Sequence, residues 1–156
     1  MINYPLATNT WDDKELKAIQ LVIEKNIYSM GDSVAQFEQD FSNFINRKYC
    51  VMVSSGSAAN LIAIAALFYT KNPMLNRGDE VIVPAITFAA SSNCVLYCGA
   101  KPVFCDIEEK TLNIDCDKIE ELITDKTKAI IAVDMAGQIC DYHRLKKICK
   151  TYNLKL

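Results

Sequence analysis

The chain has 156 residues, with 17 Lys plus Arg against 19 Asp plus Glu, a net charge of -2 and 51% hydrophobic residues. That apolar share suffices for one sizeable core, so a single domain is expected and disorder is excluded as the main state. Acidic and basic residues are interspersed without a basic patch, and no apolar run reaches the roughly 18 residues of a membrane span, which argues against nucleic-acid and membrane partners.

Met1-Ile2-Asn3-Tyr4-Pro5 carries no basic stretch followed by an apolar run, so no export signal is read and a cytoplasmic protein is expected. The seven cysteines are odd in number, and several sit in apolar runs such as Val103-Phe104-Cys105. They read as small core residues of a reducing compartment. With no C-x-x-C pair and the single His143, a metal site is not expected.

From Trp11 to Glu24, Leu16, Ile19 and Ile23 recur at helical spacing, Asp12 and Asp13 favour a helix start, and the helix should end near Asn26. Ser29-Met30-Gly31-Asp32 reads as a turn, after which Val34, Phe37, Phe41, Phe44 and Ile45 mark a second amphipathic helix. Tyr49 to Val53 is expected to form a short buried strand. Ser54-Ser55-Gly56-Ser57 breaks it, and Ala58 to Tyr69, rich in Ala, Leu and Ile, predicts a largely buried helix. A loop over Asn72 to Gly78 leads to a strand at Glu80 to Val83 that Pro84 stops, then helical character from Phe88 to Tyr97 and a strand from Lys101 to Cys105. Asp115 can cap a helix reaching Ile123, Ala129 to Val133 is a continuous apolar strand, and a last helix runs from Asp141 to Tyr152. Alternating strands and helices predict an α/β fold: a parallel sheet covered on both faces with right-handed crossovers. Asn153 to Leu156 has the look of a strand just beginning, which suggests a truncated domain.

Ligands of open α/β sheets settle outside the carboxyl ends of the strands, where helix N-termini present unpaired N–H groups. Ser54 to Asn60 occupies such an end. Gly56 permits a close turn, and the Ser57 hydroxyl with the first helical N–H groups suits a phosphate dianion, although an ordinary Ser-capped helix fits the local spacing equally. The loop is neither a Walker loop nor a dinucleotide fingerprint nor a Gly-x-Ser-x-Gly elbow. Beyond the next strand, Phe88 sits at a loop-to-helix junction where an aromatic can stack on a flat ring, or can be a core residue. At the end of the fourth expected strand, Asp134 and Gln138 of Asp134-Met135-Ala136-Gly137-Gln138 are within reach of a ligand, or simply form a turn.

The order of these pieces resembles the N-terminal half of the DegT/DnrJ/EryC1/StrS family. The resemblance is carried by Trp11-Asp12-Asp13 with Met30-Gly31 and Phe37-Glu38, Val53 to Leu61, Gly78 to Pro84, Thr87 to Ser91, and Gly99 to Phe104 with Asp106. It implies pyridoxal-phosphate-dependent sugar aminotransferases of the aspartate aminotransferase fold (fold type I), here the N-terminal part of the cofactor-binding large domain. By resemblance, Gly56, Ser57 and Ala58 form the phosphate turn, Phe88 lies against the pyridine ring, and Asp134 to Gln138 lies near the substrate pocket. The family's Asp that pairs with the pyridine nitrogen and its cofactor-bonding Lys match nothing before Leu156, and none of Lys146, Lys147, Lys150 or Lys155 has that lysine's context. This chain alone is therefore expected not to complete transamination.

Three readings follow from the resemblance. One is part of a nucleotide-sugar aminotransferase that moves an amino group from a donor such as glutamate to a keto-deoxysugar for surface polysaccharide (lipopolysaccharide) synthesis. Another is the related keto-deoxysugar 3-dehydratase, in which a His replaces the lysine. The Asp134 to Gly137 stretch and Phe88 look more like the aminotransferases, so amino transfer is the expected reaction and dehydration the alternative. The third is a non-catalytic truncated remnant that folds poorly or pairs with an intact partner. The intact family member is expected to be a homodimer.

Overall fold

The computed structural model describes Pro5 and residues 7–156. The chain divides into two compact units, one ending at Met52 and one spanning Val53–Leu156.

The first unit holds two helices. In α1 (Asp13–Lys25) the Asp12 carboxylate accepts from the Lys14 N–H at 2.7 Å while Glu15 reaches back to the Asp12 N–H at 2.8 Å, a capping box that fixes the start. Asn26, left-handed at φ 52°, ends it where the sequence predicted. In α2 (Asp32–Phe44) the i, i+4 pair Phe37 and Phe41 stacks with ring centroids 5.7 Å apart. The strand expected at Tyr49 to Val53 does not form. An apolar run becomes a strand only beside a neighbour that takes up its ladder groups; here the Met52 N–H donates to Glu38 Oε1 at 2.7 Å, and Tyr49 and Val51 lie open to solvent.

The second unit is an α/β layer structure. Helix α3 (Gly56–Tyr69) leads to β1 (Glu80–Pro84), then come α4 (Ala90–Tyr97), β2 (Lys101–Cys105), the short α5 (Cys116–Ile119) continued by a 3-10 turn to Leu122, β3 (Thr127–Ile130) and α6 (Tyr142–Tyr152). The three strands are parallel in the order β2-β1-β3. Every residue of β1 is buried. Alternation sends Val81 and Val83 to a cluster with Ile64, Cys94, Val95 and Ala129, and Ile82 to the opposite cluster with Cys105, Ile119, Ile130 and Leu145. Both faces are thus covered, as the alternating pattern predicted. Five of the seven cysteines are buried and all seven are unpaired. Among the described residues, no helix is long and apolar enough to cross a membrane.

Three boundaries differ from the sequence reading. β3 starts at Thr127 and stops at Ile130, although the Ile131 N–H still donates to the Ile82 carbonyl of β1 at 2.8 Å. Leu154 to Leu156 contributes a single parallel bridge, between Lys155 and Ala129, rather than a strand. Helix α3 buries only Ile64; apolar all round, it has one flank covered by α4 and the sheet, and Leu61 and Ile62 remain exposed.

At the amino end of β1 the buried Glu80 carboxylate ties three elements. It accepts from Thr124 Oγ1 at 2.6 Å, Thr127 Oγ1 at 3.4 Å and Lys101 Nζ at 3.0 Å, and a one-residue shift between β1 and β3 brings Thr127 opposite it. The Thr124 hydroxyl first, then Lys101, holds its pKa below the ordinary value of 4.5. A depressed folded-state pKa means a stabilisation fully present above the ordinary value and lost as pH falls through the folded one. Glu80→Gln should therefore cost about 1–3 kcal/mol at neutral pH, since it weakens the charge-assisted hydrogen bonds that the buried carboxylate accepts from Thr124 and Thr127. Urea titrations of the purified protein from neutral pH down to about pH 3 should show the gap to wild type closing with acidity; a gap independent of pH would place the linkage elsewhere.

Candidate active site

The start of α3 presents backbone donors suited to an anion. Ser55 is the N-cap: its Oγ accepts from the Ala58 N–H at 3.2 Å, and its carbonyl accepts from the Ala59 N–H at 3.0 Å. The N–H groups of Gly56 and Ser57 and the Ser57 hydroxyl have no hydrogen-bond partner among the described residues. They stand at the positive end of a 14-residue helix. Gly56 has no left-handed φ, and a Cβ built on it would meet nothing within 4 Å. Among the described residues nothing requires glycine there. The open space beside it admits a group that must approach the backbone closely.

Phe88 lies in the loop leaving β1. Its carbonyl accepts from the Ser91 N–H at 2.9 Å, and the Thr87 and Ser91 hydroxyls are bonded at 3.0 Å, which fixes the entry to α4. Phe88 is 75% exposed, so it is not part of the core formed by the described residues. Together with Ser57, Ala58, Leu61, Asn93 and Tyr97 it lines a cleft of about 340 Å³ between α3 and α4. Three of the residues singled out from the sequence thus meet in one place, with Gly56 immediately before them. Leu61, Asn93 and Tyr97 were not foreseen. The signal was present as helical spacing, Leu61 four residues after Ser57 and Tyr97 four after Asn93.

Asp134 and Gln138 are not in that cleft. The Asp134 carboxylate is engaged within its own loop, accepting from the Cys140 N–H at 2.9 Å and the Tyr142 hydroxyl at 3.3 Å. The Cys140 N–H is the main cause of its lowered pKa. Burial, then the neighbouring Asp134, pushes the Cys140 thiol up to about 11. Gln138 is exposed, and its backbone carbonyl accepts from Asn113 Nδ2 at 2.9 Å. Tyr142 also lines a larger groove of about 660 Å³ along α3 and the end of β3, with Asn60, Ala132 and Lys146; Cys94 borders both hollows. The loops after β1, β2 and β3 and the start of α3 all gather at the carboxyl end of the sheet.

Residues 9–156 match the model of the DegT/DnrJ/EryC1/StrS aminotransferase family. The chain belongs to this family. Over 148 residues it is 53% identical to the GDP-4-keto-6-deoxy-D-mannose 3-dehydratase of Yersinia pseudotuberculosis, covering 95% of this chain and 38% of that protein. With the GDP-perosamine synthase of Caulobacter vibrioides it shares 39% identity over 128 residues, 82% of this chain and 33% of that one. The structure superposes on the E. coli GDP-4-keto-6-deoxy-D-mannose-3-dehydratase with bound hydrated PLP (pyridoxal phosphate) with a TM-score of 0.92 at 46% identity, covering 99% of this chain and 40% of that one. The sheet and helices described above are therefore part of a fold type I enzyme architecture, and the chain spans about two-fifths of the length of these family members.

Because Phe88 is so exposed, Phe88→Ala should change unfolding stability by less than about 0.5 kcal/mol, whereas truncating a buried Phe costs about 3–5 kcal/mol. Chemical denaturation of both forms without cofactor reads the difference directly. A loss of core size would return Phe88 to packing.

Proposed function

We propose that the protein binds pyridoxal phosphate at the start of α3 and acts on a nucleotide-linked 4-keto-6-deoxy sugar. One observation supports the cofactor reading above all: the unpaired donors of Gly56 and Ser57 stand across a 340 Å³ cleft from the exposed ring of Phe88. The helix start suits a phosphate dianion and the aromatic face suits a pyridine ring, the two ends of one small molecule. When bound, the cofactor supplies an electron sink. This chain's residues do the holding: Gly56 and Ser57 take the phosphate, Ala58 keeps the wall low, and Phe88 covers one face of the ring and excludes water from it.

Between the two reactions that the resemblance implies, the identity margin, 53% against 39%, favours removal of the sugar's 3-hydroxyl. Amination is the second reading, favoured by the aminotransferase-like Asp134-Met135-Ala136-Gly137 stretch. Either product is a nucleotide-linked deoxysugar suited to surface polysaccharide such as lipopolysaccharide. Seven unpaired cysteines suit a reducing compartment, so we place the protein in the cytoplasm. We also propose a homodimer; the exposed apolar side chains of α1 and α2, such as Leu16 and Phe44, fit contact with a second copy.

The test uses the protein at its full natural length with pyridoxal phosphate, GDP-4-keto-6-deoxymannose and glutamate labelled at nitrogen. Label retained in the sugar means amination; an unlabelled sugar lacking one hydroxyl means dehydration. Neither product means the substrate class is wrong. Ser57→Ala should weaken cofactor binding by about 1–2 kcal/mol, one charge-assisted hydrogen bond to phosphate, measured by fluorescence titration. An unchanged dissociation constant leaves Ser57 an ordinary first-turn residue.

A further inference from the structure

The turn after β3 is held in an unfavourable shape by a residue from a different loop. Ala136 is left-handed at φ 51°, ψ 28°, and Gly137 follows at φ 83°. A non-glycine residue in that region is strained, and two left-handed residues in succession persist only when their surroundings dictate it. The turn's own bonds, Gly137 N–H to the Asp134 carbonyl at 3.1 Å and Gln138 N–H to the Met135 carbonyl at 2.9 Å, close it internally. The Met135 N–H and the Gln138 carbonyl are left over, one at each end.

Asn113 takes both. Its Oδ1 accepts from the Met135 N–H at 3.0 Å and its Nδ2 donates to the Gln138 carbonyl at 2.9 Å, so a single primary amide bridges the turn as a backbone peptide would. Asn113 is 4% exposed, and its own backbone is fixed: its carbonyl accepts from the Glu108 N–H at 2.9 Å and its N–H donates to Thr111 Oγ1 at 3.2 Å. Asp134, on the other flank, is committed to Cys140 and Tyr142. The backbone of the turn is thereby satisfied, and the side-chain amide of Gln138 is exposed with no hydrogen-bond partner among the described residues.

The geometry points to Asn113 as a positioning residue: by clamping Met135 and Gln138 it sets the direction from which the Gln138 amide meets the hydroxyl-bearing sugar of the substrate. This rests on the reading above that the Asp134 to Gln138 turn borders the substrate pocket. Asn113 touches neither cofactor nor sugar. Its effect travels through the backbone of a strained turn, so it falls on sugar recognition and not on the cofactor cradle at Gly56 and Ser57.

The experiment is a double-mutant cycle on the full-length holoenzyme, with GDP-4-keto-6-deoxymannose as the varied substrate. Gln138→Ala leaves the backbone carbonyl, and so the clamp, in place while removing the side chain that the clamp aims. Gln138→Ala and Asn113→Ala should each raise the sugar KM about 3- to 10-fold, the loss of one hydrogen bond, with the cofactor dissociation constant unchanged. The double variant should be no worse than the poorer single one, because the two act as a unit. Asn113→Asp, nearly isosteric, keeps the acceptor toward Met135 and loses the donor toward Gln138; it should raise KM likewise, and carries the test if Asn113→Ala does not fold. Additive effects, or a wild-type KM in either Asn113 variant, would overturn the inference while leaving the substrate reading intact if Gln138→Ala still raises KM. An unaltered KM in Gln138→Ala removes the turn from the substrate pocket, and the inference with it.

Discussion

The strand β1 is buried along its whole length, and Val81, Ile82 and Val83 are each committed to one face or the other. A one-residue slip would exchange Val81 and Val83 with Ile82 and leave both clusters with the wrong volumes. Its flanking strands inherit that register, from Glu80 opposite Lys101 through Pro84 opposite Cys105 on one side and Ile82 opposite Ile130 on the other. The loops at the carboxyl end, which carry Phe88, Asn113 and Asp134, are therefore positioned by a strand that contributes no functional side chain of its own. The ionic knot around Glu80 sits at the opposite end, where it can stabilise the sheet away from the candidate site.

Two kinds of loop surround the proposed site, and they differ in how completely their polar groups are used. At the start of α3 the donors of Gly56 and Ser57 are unspent, a condition that suits an anion arriving from outside. At the turn after β3 nearly every group is spent internally, through Asn113, Cys140 and Tyr142. The first arrangement supplies binding energy, and the second supplies rigidity. On the reading proposed above, the former suits a doubly charged cofactor phosphate and the latter fixes the backbone of the turn.

Much of this was legible in the sequence. Helix starts at Asp12 and Asp115, the apolar strand around Ile82 and the small-residue break at Ser54 to Ser57 all act within a few residues, and the structure follows them closely. The misses are non-local. Tyr49 to Val53 has the composition of a strand but no ladder partner, and α3 has the composition of a buried helix with one flank uncovered. At the candidate site, the turn at Gly56 and Ser57 could be singled out because a glycine and a serine at a helix start suit an anion. Asn113 could not, since the groups it bonds lie 22 and 25 residues further on and are backbone atoms, which leave no mark on residue identity.

The unpaired cysteines have a consequence for the protein's life outside a reducing environment. Cys105 and Cys140 are held as thiols by burial, each pushed up to about 11, so in the native state they are poor nucleophiles. Unfolding returns them to water and restores their ordinary acidity. Seven thiolate-forming groups then share one flexible chain, and any bridge between them joins residues whose native positions are set by packing and not by disulfide geometry. Oxidation after unfolding thus acts as a one-way door, converting a reversible equilibrium into loss of protein, and the native core is what keeps that door shut.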